Sequence, residues 1–313
     1  EIPIGANISI NNPVSVAIDL GGKDSYGYRK FPVREDSAGE RVSSDKYGRN
    51  RYKPQVTYSE QFRQGAGNLG IGMLYDFGND SDTYQSLRFS QGYGMLGIGV
   101  LYDHGGNDTY IAEAGAQGAG LLGMGILYDN NGDDTYKGYS IMQGAAQVKG
   151  IGILLDVKGN DIYHTHTGDL YQDPRTWLEQ DDPLYIGSLS QGSAWGRRAD
   201  QPFDDIENGI FLSGGMGILS DLEGDDTYSC GAFCQGCGYW FGLGFLHDDS
   251  GNDSYDSRVY NVGAGAHFGM GIFSDNAGDD LYFQNLDQKG LSVGYSHDLS
   301  FAWMQDLGGN DRY

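Results

Sequence analysis

Positive charge is scarce in this sequence. The 313 residues include 20 Lys and Arg against 43 Asp and Glu, which gives a formal net charge of −23 at pH 7. A surface of this sign repels nucleic acid and anionic membranes, so neither is expected as a partner. An inorganic cation is the kind of ligand that this charge favours. No apolar run reaches the length of a transmembrane helix, so no membrane span is predicted.

Several sequence signatures of known protein classes are also missing. No nucleophile motif, phosphate-binding loop or dinucleotide fingerprint is present, so no catalytic residue is assigned. Glycine is abundant, at 52 residues, but it lacks the triplet period of collagen, so its use must be positional. The chain has no signal peptide and opens on Glu1 rather than Met. We therefore expect a processed or partial chain.

What is present is a repeat, which residues 103–110 show in full. It reads Asp, then Gly three residues on, Asn or Asp four on, a second Asp five on, and Tyr seven on. Nine copies occur, at 19–26, 76–84, 103–110, 129–136, 156–163, 221–228, 248–255, 275–282 and 306–313; the first has Lys23 at the fourth place, and the copy at 76–84 contains one extra residue. In the regular stretches the leading aspartates are 26 or 27 residues apart. A fixed period of this size indicates stacked supersecondary units.

Each regular unit also contains a Gln-Gly pair, a glycine-rich stretch and an apolar run that alternates with glycine, as in Ile98-Gly99-Val100. Alternation of period two favours a strand, and frequent glycine would cost a helix about 1 kcal/mol per residue. Three short strands per unit describe one coil of a solenoid. We predict an all-β fold, a right-handed parallel β-solenoid (β-helix) of about nine coils of 26–27 residues, with residues 1–313 as a single domain.

Long insertions interrupt the repeat at about 27–60, 164–189 and 197–212. The first contains eight of the twenty Lys and Arg residues, which suits contact with an acidic partner or with another copy of the chain. Insertions in repeat arrays gather on one face, often the binding face. The loops at 27–60 and 164–212 are therefore predicted to make the protein contacts or the self-association. Their deletion is expected to weaken binding and to leave the coils folded.

Three sets of side chains are predicted to stack from coil to coil. The apolar residue near the start of each run should form one buried column. This column consists of Ile71, Ile98, Met124, Ile151, Met216, Leu243 and Ile272. The tyrosines that close the repeats should form an aromatic ladder, since neighbouring strands pair such side chains. The glutamines of the Gln-Gly pairs should form an amide ladder.

The aspartates are predicted to stack in two columns, with Asp103 above Asp129 and Asp108 above Asp134. Neighbouring carboxylates about 5 Å apart repel by about 1 kcal/mol in water and by several at an effective dielectric near 20. Hard cations between the coils would reverse the sign of this interaction. Calcium is suitable because it accepts six to eight oxygen ligands in adaptable geometry. The alternative is that the aspartates only bond to turn amides, as in Asx-turns, without a metal.

The motif Gly106-Asn107-Asp108-Thr109-Tyr110 resembles the second half of the RTX calcium nonapeptide G-G-x-G-x-D-x-U-x. The wider chain is similar to glycine-rich repeat proteins with one G-N/D-D-x-Y per coil, found in bacterial cell-surface and secreted proteins. The resemblance implies an extracellular or periplasmic β-roll or β-helix with calcium in the turns. One partial nonapeptide occurs here per 26–27 residues, so coil size and calcium stoichiometry are not carried over.

The resemblance implies ligands from the second column, and the electrostatic argument adds the first column. The second-column set is Asp24, Asp82, Asp108, Asp134, Asp161, Asp226, Asp253, Asp280 and Asp311. The first-column set is Asp103, Asp129, Asp156, Asp221, Asp248 and Asp275.

The three cysteines, Cys230, Cys234 and Cys237, have the spacing C-x3-C-x2-C, which is also that of iron–sulfur ligands. In the repeat alignment they replace alanines. They are therefore predicted to pack as small buried side chains, and a disulfide stays open.

Two other groups of residues suggest chemistry. His164-Thr165-His166 directs two imidazoles to one side of a strand, which permits a metal or acid–base site. The pairs Asp181-Asp182 and Asp204-Asp205 could act on sugars as paired carboxylates. Solvated acidic loops are the simpler interpretation of both pairs.

The leading hypothesis is a non-enzymatic, calcium-stabilised extracellular structural or interaction module. The main rival is a carbohydrate-active β-helix enzyme, a lyase or hydrolase, with its site in residues 164–220. A third hypothesis is an ice-binding solenoid, which needs a regular threonine face. Only Thr83, Thr109, Thr135 and Thr227 recur in register.

Overall fold

The computed structural model describes residues 5–6, 14–27, 34–35, 41–42, 62–86, 88–165, 188–197, 211–284 and 293–313. Within these ranges every regular element is a β-strand. The described part of the chain contains no helix with the length and apolarity of a bilayer span.

One sheet, which we call the long sheet, runs the length of the molecule. Its nine strands are parallel, and each pairs with the strand of the next repeat. They are Val14–Asp19, Ile71–Asp76, Ile98–Tyr102, Met124–Tyr128, Ile151–Leu155, Met216–Asp221, Leu243–Asp248, Met270–Asp275 and Phe301–Asp306. The strands are in register, so that equivalent positions of successive repeats are direct neighbours.

A second sheet of eight parallel strands follows the aspartate turns. Its strands are Ser25–Tyr26, Thr83–Gln85, Thr109–Ile111, Thr135–Gly138, Ile162–Thr165, Thr227–Ser229, Ser254–Ser257 and Leu281–Gln284. Short strands form the third side, in a sheet of four and a sheet of three. These are Gly5–Ala6, Ala66–Asn68, Gly94–Met95 and Gly120–Leu121, then Ala194–Trp195, Gly238–Tyr239 and Gly265–Ala266. Arg34–Glu35 and Arg41–Val42 form a separate antiparallel pair.

Three parallel sheets joined in this cyclic order make a β-solenoid, which confirms the predicted fold class. The structure has about seven turns, slightly fewer than the nine coils predicted. The prediction counted every copy of the motif. The copies at the two ends of the stack have a neighbouring repeat on one side only. Each of them adds a strand to the long sheet but does not complete a further turn.

Strands that flank the insertions pair directly with each other. Val14–Asp19 pairs with Ile71–Asp76, and Ile151–Leu155 pairs with Met216–Asp221. The strands before and after these insertions are therefore neighbours in the stack, one turn apart. The loops predicted at 27–60, 164–189 and 197–212 lie mostly outside the described residues, and their part in binding stays a prediction.

The apolar column predicted from the sequence exists as a row of neighbours, but it faces outward. Ile98 pairs with Ile71 on one side and with Met124 on the other, and it is 38% exposed. Leu243 pairs with Met270 and not with Ile272, which lies two positions further along its strand. The prediction that this column is buried is therefore wrong, and so is the place of Ile272 in it.

Glycine explains which face points inward. A Cβ atom on Gly125 would lie 2.0 Å from the carbonyl oxygen of Ala119, on the third side of the same turn. No side chain fits where the two backbones approach this closely, so the glycines face inward and the bulky residues beside them face outward. The buried apolar column lies two positions after these glycines, and three positions after the predicted column, on each strand. It consists of Leu74, Leu101, Leu127, Leu154, Leu219, Leu246 and Phe273.

We predict that Gly125→Ala destabilises the solenoid. The new methyl group would overlap the Ala119 carbonyl, and overpacking of a close contact costs about 1–3 kcal/mol. Urea unfolding of the variant and of the wild type measures the difference. Gly308→Ala is the control, because the nearest atom to its Cβ would lie 3.6 Å away. Equal losses in the two variants would contradict the close approach of the sheets.

Candidate metal centre

The tyrosines that close the repeats stack inside the solenoid. The rings of Tyr84 and Tyr110 have centroids 4.8 Å apart and are 3° from parallel. The same stacking continues from Tyr26 at one end to Tyr313 at the other. This confirms the predicted aromatic ladder.

The glutamines connect successive turns in a different way from the predicted amide ladder. The Nε2 of Gln117 donates to two carbonyl oxygens, one at Tyr110 in its own repeat and one at Lys137 in the next, at 3.0 and 3.2 Å. The side-chain amides thus bond to backbone rather than to each other. Each such pair of hydrogen bonds connects two neighbouring strands of the second sheet.

The first aspartate column is buried beside the tyrosines. The Oδ2 of Asp129 accepts a 2.5 Å hydrogen bond from the Tyr110 hydroxyl of the preceding repeat. Its Oδ1 accepts from the backbone N–H of Asn131, two residues on, at 3.3 Å. Short hydrogen bonds to a carboxylate are the stronger, charge-assisted kind. The aspartates of this column therefore form the Asx-turns that the metal-free alternative predicts.

The second column bonds across turns. The Oδ1 of Asp134 accepts from the backbone N–H of Asp108 at 2.5 Å, and the Oδ1 of Asp161 accepts from the N–H of Asp134 at 2.6 Å. The other oxygen of each side chain is buried and receives no hydrogen bond from an N–H or hydroxyl group; a carboxyl of the first column is its neighbour, as Asp129 is for Asp134. This applies to the Oδ2 atoms of Asp108, Asp134, Asp161, Asp226, Asp253 and Asp280. An unpartnered buried oxygen indicates a missing proton or ligand.

The two columns converge on a common interior space. Ligand oxygens of Asp103, Asp108 and Asp129 all lie within 4.8 Å of one another, and Asp129, Asp134 and Asp156 form the next such set. Asp76, Asp103 and Asp129 each belong to two such sets. The sets thus form a continuous row from Asp19 to Asp156.

The structure brings the predicted ligands together as this row. Thirteen are buried, namely Asp82, Asp103, Asp108, Asp129, Asp134, Asp156, Asp161, Asp221, Asp226, Asp248, Asp253, Asp275 and Asp280. Asp24 and Asp311, at the two ends, are partly exposed. Sequence reasoning did not include Asp19 and Asp76, which form a set with Asp24. Both occupy the leading position of the same repeat, so the motif itself could have identified them.

Burial raises the pKa of these carboxyl groups. Loss of solvation, followed by the charge of Asp103, raises the pKa of Asp108 to about 9. Loss of solvation, followed by the charges of Asp129 and Asp156, raises the pKa of Asp134 to about 11. The pKa of Asp129 rises only to about 7, because hydrogen bonds from Tyr110 and the backbone stabilise its charged form. Without a cation, Asp108 and Asp134 therefore hold a proton more strongly than Asp129 does.

We predict that the metal-free protein becomes less stable as the pH rises. The pKa of Asp134 is about 11 in the folded state, against about 3.9 in an unfolded chain. A raised folded pKa contributes stability that is complete below the unfolded pKa and is lost as the pH rises through the folded value. Thermal unfolding in excess chelator, from about pH 5 to about pH 9, should therefore show a falling Tm. A Tm that rises over this range would contradict the protonated column.

Other residues that the sequence suggested do not form a site among the described residues. His164 forms a 2.6 Å hydrogen bond with Ser229, and burial lowers its pKa. His166, and the pairs at 181–182 and 204–205, lie outside the described residues, so the hypotheses that rest on them stay predictions. Thr135 and Thr227 are separated by Ile162 in the second sheet, which interrupts the threonine face that an ice-binding surface needs.

All three cysteines are buried, as predicted. Cys230 and Cys234 form a disulfide, which the sequence left open, and Cys237 is a free thiol. Because two of the three cysteines form a disulfide, the spacing C-x3-C-x2-C does not supply three free thiols for an iron–sulfur cluster.

Comparisons with protein-family models, with curated proteins and with solved structures give no match for this chain.

Proposed function

We propose that this chain is a structural and interaction module of a secreted or cell-surface protein, a β-solenoid that calcium ions stabilise from within. The observation that carries the proposal is the set of six buried second-column carboxylates, from Asp108 to Asp280, that each have an unpartnered oxygen. A buried charge is costly unless it is paired or coordinates a metal. The row provides such groups at every turn of the stack.

The geometry and the charge of the row suit calcium. Three carboxylate oxygens within 4.8 Å of one another can all contact one ion at the distances of about 2.3–2.6 Å that calcium prefers. Each turn contributes two aspartates, so one divalent ion per turn would balance their charge. Magnesium is a poorer fit, because it demands octahedral geometry and keeps several waters, which a buried row has little room for.

The disulfide between Cys230 and Cys234 supports the location that we propose. Disulfides form and persist in oxidising compartments such as the periplasm and the cell exterior, and they are rare in the cytosol. Calcium at millimolar concentration, which weak sites require, is likewise typical of extracellular modules.

We predict that calcium raises the Tm of the wild type and that chelator lowers it. Binding to the folded state alone stabilises by about 2.7 kcal/mol per site when calcium exceeds Kd a hundredfold. Asp134→Asn should lose part of this response, since the amide cannot supply the charge. In chelator the same variant should be no less stable than the wild type near neutral pH, because the amide replaces a protonated carboxyl.

The control for this experiment is Asp80→Asn, which alters an exposed aspartate of the same kind of turn. It should keep the full calcium response. Metal analysis should find about one calcium per turn in the loaded wild type. Identical melting curves in calcium and in chelator, with metal removal verified, would leave hydrogen bonding by the aspartates as the better explanation.

The outer face of the long sheet is the interaction surface that we propose. Its central column is apolar throughout and contains no charged residue. It consists of Val16, Met73, Val100, Ile126, Ile153, Ile218, Phe245, Ile272 and Trp303. The two end members, Val16 and Trp303, are 52% and 50% exposed, and the seven members between them are partly exposed. Monomeric proteins rarely expose contiguous apolar patches above a few hundred Å².

A second copy of the chain fits this face best. Nine strands at about 4.8 Å extend about 40 Å, and five residues at about 3.3 Å extend about 17 Å, which gives about 700 Å². A standard interface buries about 800 Å² per partner. Two such flat faces can pack about 10 Å apart, as the sheets of a β-sandwich do. The absence of charge in the central column removes repulsion where the copies would meet.

We predict that the wild type is a dimer and that Ile126→Lys is a monomer, because the lysine would place a charge at the centre of the interface. Size-exclusion chromatography with light scattering measures the mass. Thr109→Lys is the control, since it changes the outer face of the second sheet, and it should remain dimeric. A monomeric wild type, as expected if another segment of this chain covers the face, would contradict self-association.

A further inference from the structure

The last three turns have an unusual backbone where the third side meets the long sheet. Each has two consecutive non-glycine residues with positive φ. The pairs are Trp240 and Phe241, His267 and Phe268, and Asp298 and Leu299, with φ from 45° to 62°. The left-handed conformation costs such residues about 1–2 kcal/mol each. It persists where the surroundings impose it, and it is frequent at ligand sites.

This backbone brings together two histidines and an aspartate from adjacent turns. The Nδ1 of His267 lies 2.7 Å from the Oδ2 of Asp298, and the Nδ1 of His297 lies 3.0 Å from the same oxygen. The three ligand atoms all lie within 4.8 Å of one another. Both imidazoles therefore direct the same nitrogen toward a single point beside one carboxylate.

We propose that His267, His297 and Asp298 bind a transition-metal ion of the zinc class. Two imidazole nitrogens and one carboxylate oxygen are ligands that zinc accepts, whereas calcium prefers oxygen alone. Three protein ligands leave the fourth tetrahedral position for water or another ligand. The side chain of Asp298 is 51% exposed and that of His297 is 24% exposed, so the fourth position would open to solvent.

The surroundings of the histidines support this assignment. The Nε2 of His297 lies 3.0 Å from the hydroxyl of Tyr260, so the nitrogen that faces away from Asp298 has its own partner. Zinc-bound histidines are usually held in this way, which fixes the ring and leaves the other nitrogen for the metal. His267 contacts the edge of the Tyr239 ring, with centroids 5.2 Å apart, and lies beside Trp240. These aromatic rings restrict its orientation.

The site is separate from the aspartate row. It precedes the strands of the long sheet, whereas the row follows them, and its two nitrogen ligands have no counterpart in the row. Calcium in excess would occupy the row and leave the histidines available. The two proposals can therefore be tested independently, and either one can fail alone.

The test is a cobalt titration of chelator-treated protein in excess calcium. Cobalt in a tetrahedral site absorbs visible light, so binding is read directly from the spectrum, and zinc should displace it. We expect one equivalent of tight binding to the wild type. His297→Ala and His267→Ala should weaken binding by at least about 100-fold, and Asp298→Asn by about 10-fold or more.

The matched control is His247→Ala, since His247 also lies near an aspartate, Asp249, at 3.9 Å. This variant should bind cobalt as the wild type does. Melting curves of the metal-free variants verify the fold, and Asp298→Asn, the smallest change, keeps the test valid if an alanine variant does not fold. A wild type that binds no stoichiometric cobalt, or binding that survives in folded His297→Ala, would overturn the proposal.

Discussion

The solenoid depends on buried carboxylates that form their hydrogen bonds with a neighbouring turn. Asp129 accepts from the Tyr110 hydroxyl of the turn before it, and Asp134 accepts from the Asp108 amide. Both donors and acceptors are buried, so separating two turns would leave each partner unsatisfied, at a cost of about 1–3 kcal/mol per group. A single repeat cannot satisfy these groups by itself. Stability therefore arises only in the stack, as in other repeat proteins.

The polar residues inside the solenoid also determine which side chains lie on its outer surface. Aspartates and tyrosine hydroxyls occupy one end of the inner space, and glycines face the third side, where a Cβ on Gly125 would overlap Ala119. One inner position per long-sheet strand remains for a large apolar side chain, such as Leu127. The other bulky residues of these strands must face outward. The same constraint that lines the interior with aspartates thus produces an apolar outer face.

The group of His267, His297 and Asp298 lies at a corner whose backbone differs between the early and the late turns. The corner before the long sheet carries Leu96 and Leu122 in early turns, each with a single positive φ. In the last turns the corner has two such residues in succession, and His267 and Asp298 occupy them. The regular spacing of the turns then brings side chains of different repeats within bonding distance. Specific chemistry can arise at such a corner without changing the coils themselves.

The sequence alone determined the fold class and the register, because a constant period converts directly into pairing: Ile98 must lie beside Met124 if each repeat is one turn. It also determined which aspartates form the two columns. Alternation defines two faces of a strand but not which one is inside. Only the close approach of the third side to Gly125 decided that, and it reversed the predicted face.

The tertiary structure also decided how the columns are used. Spacing predicted that the aspartates stack, but not that Asp134 is buried with one unpartnered oxygen, because burial depends on all three sheets. It decided the disulfide between Cys230 and Cys234, since three cysteines allow several arrangements. The group of His267, His297 and Asp298 belongs to no repeat motif. Its members meet only because two turns of the solenoid place them side by side.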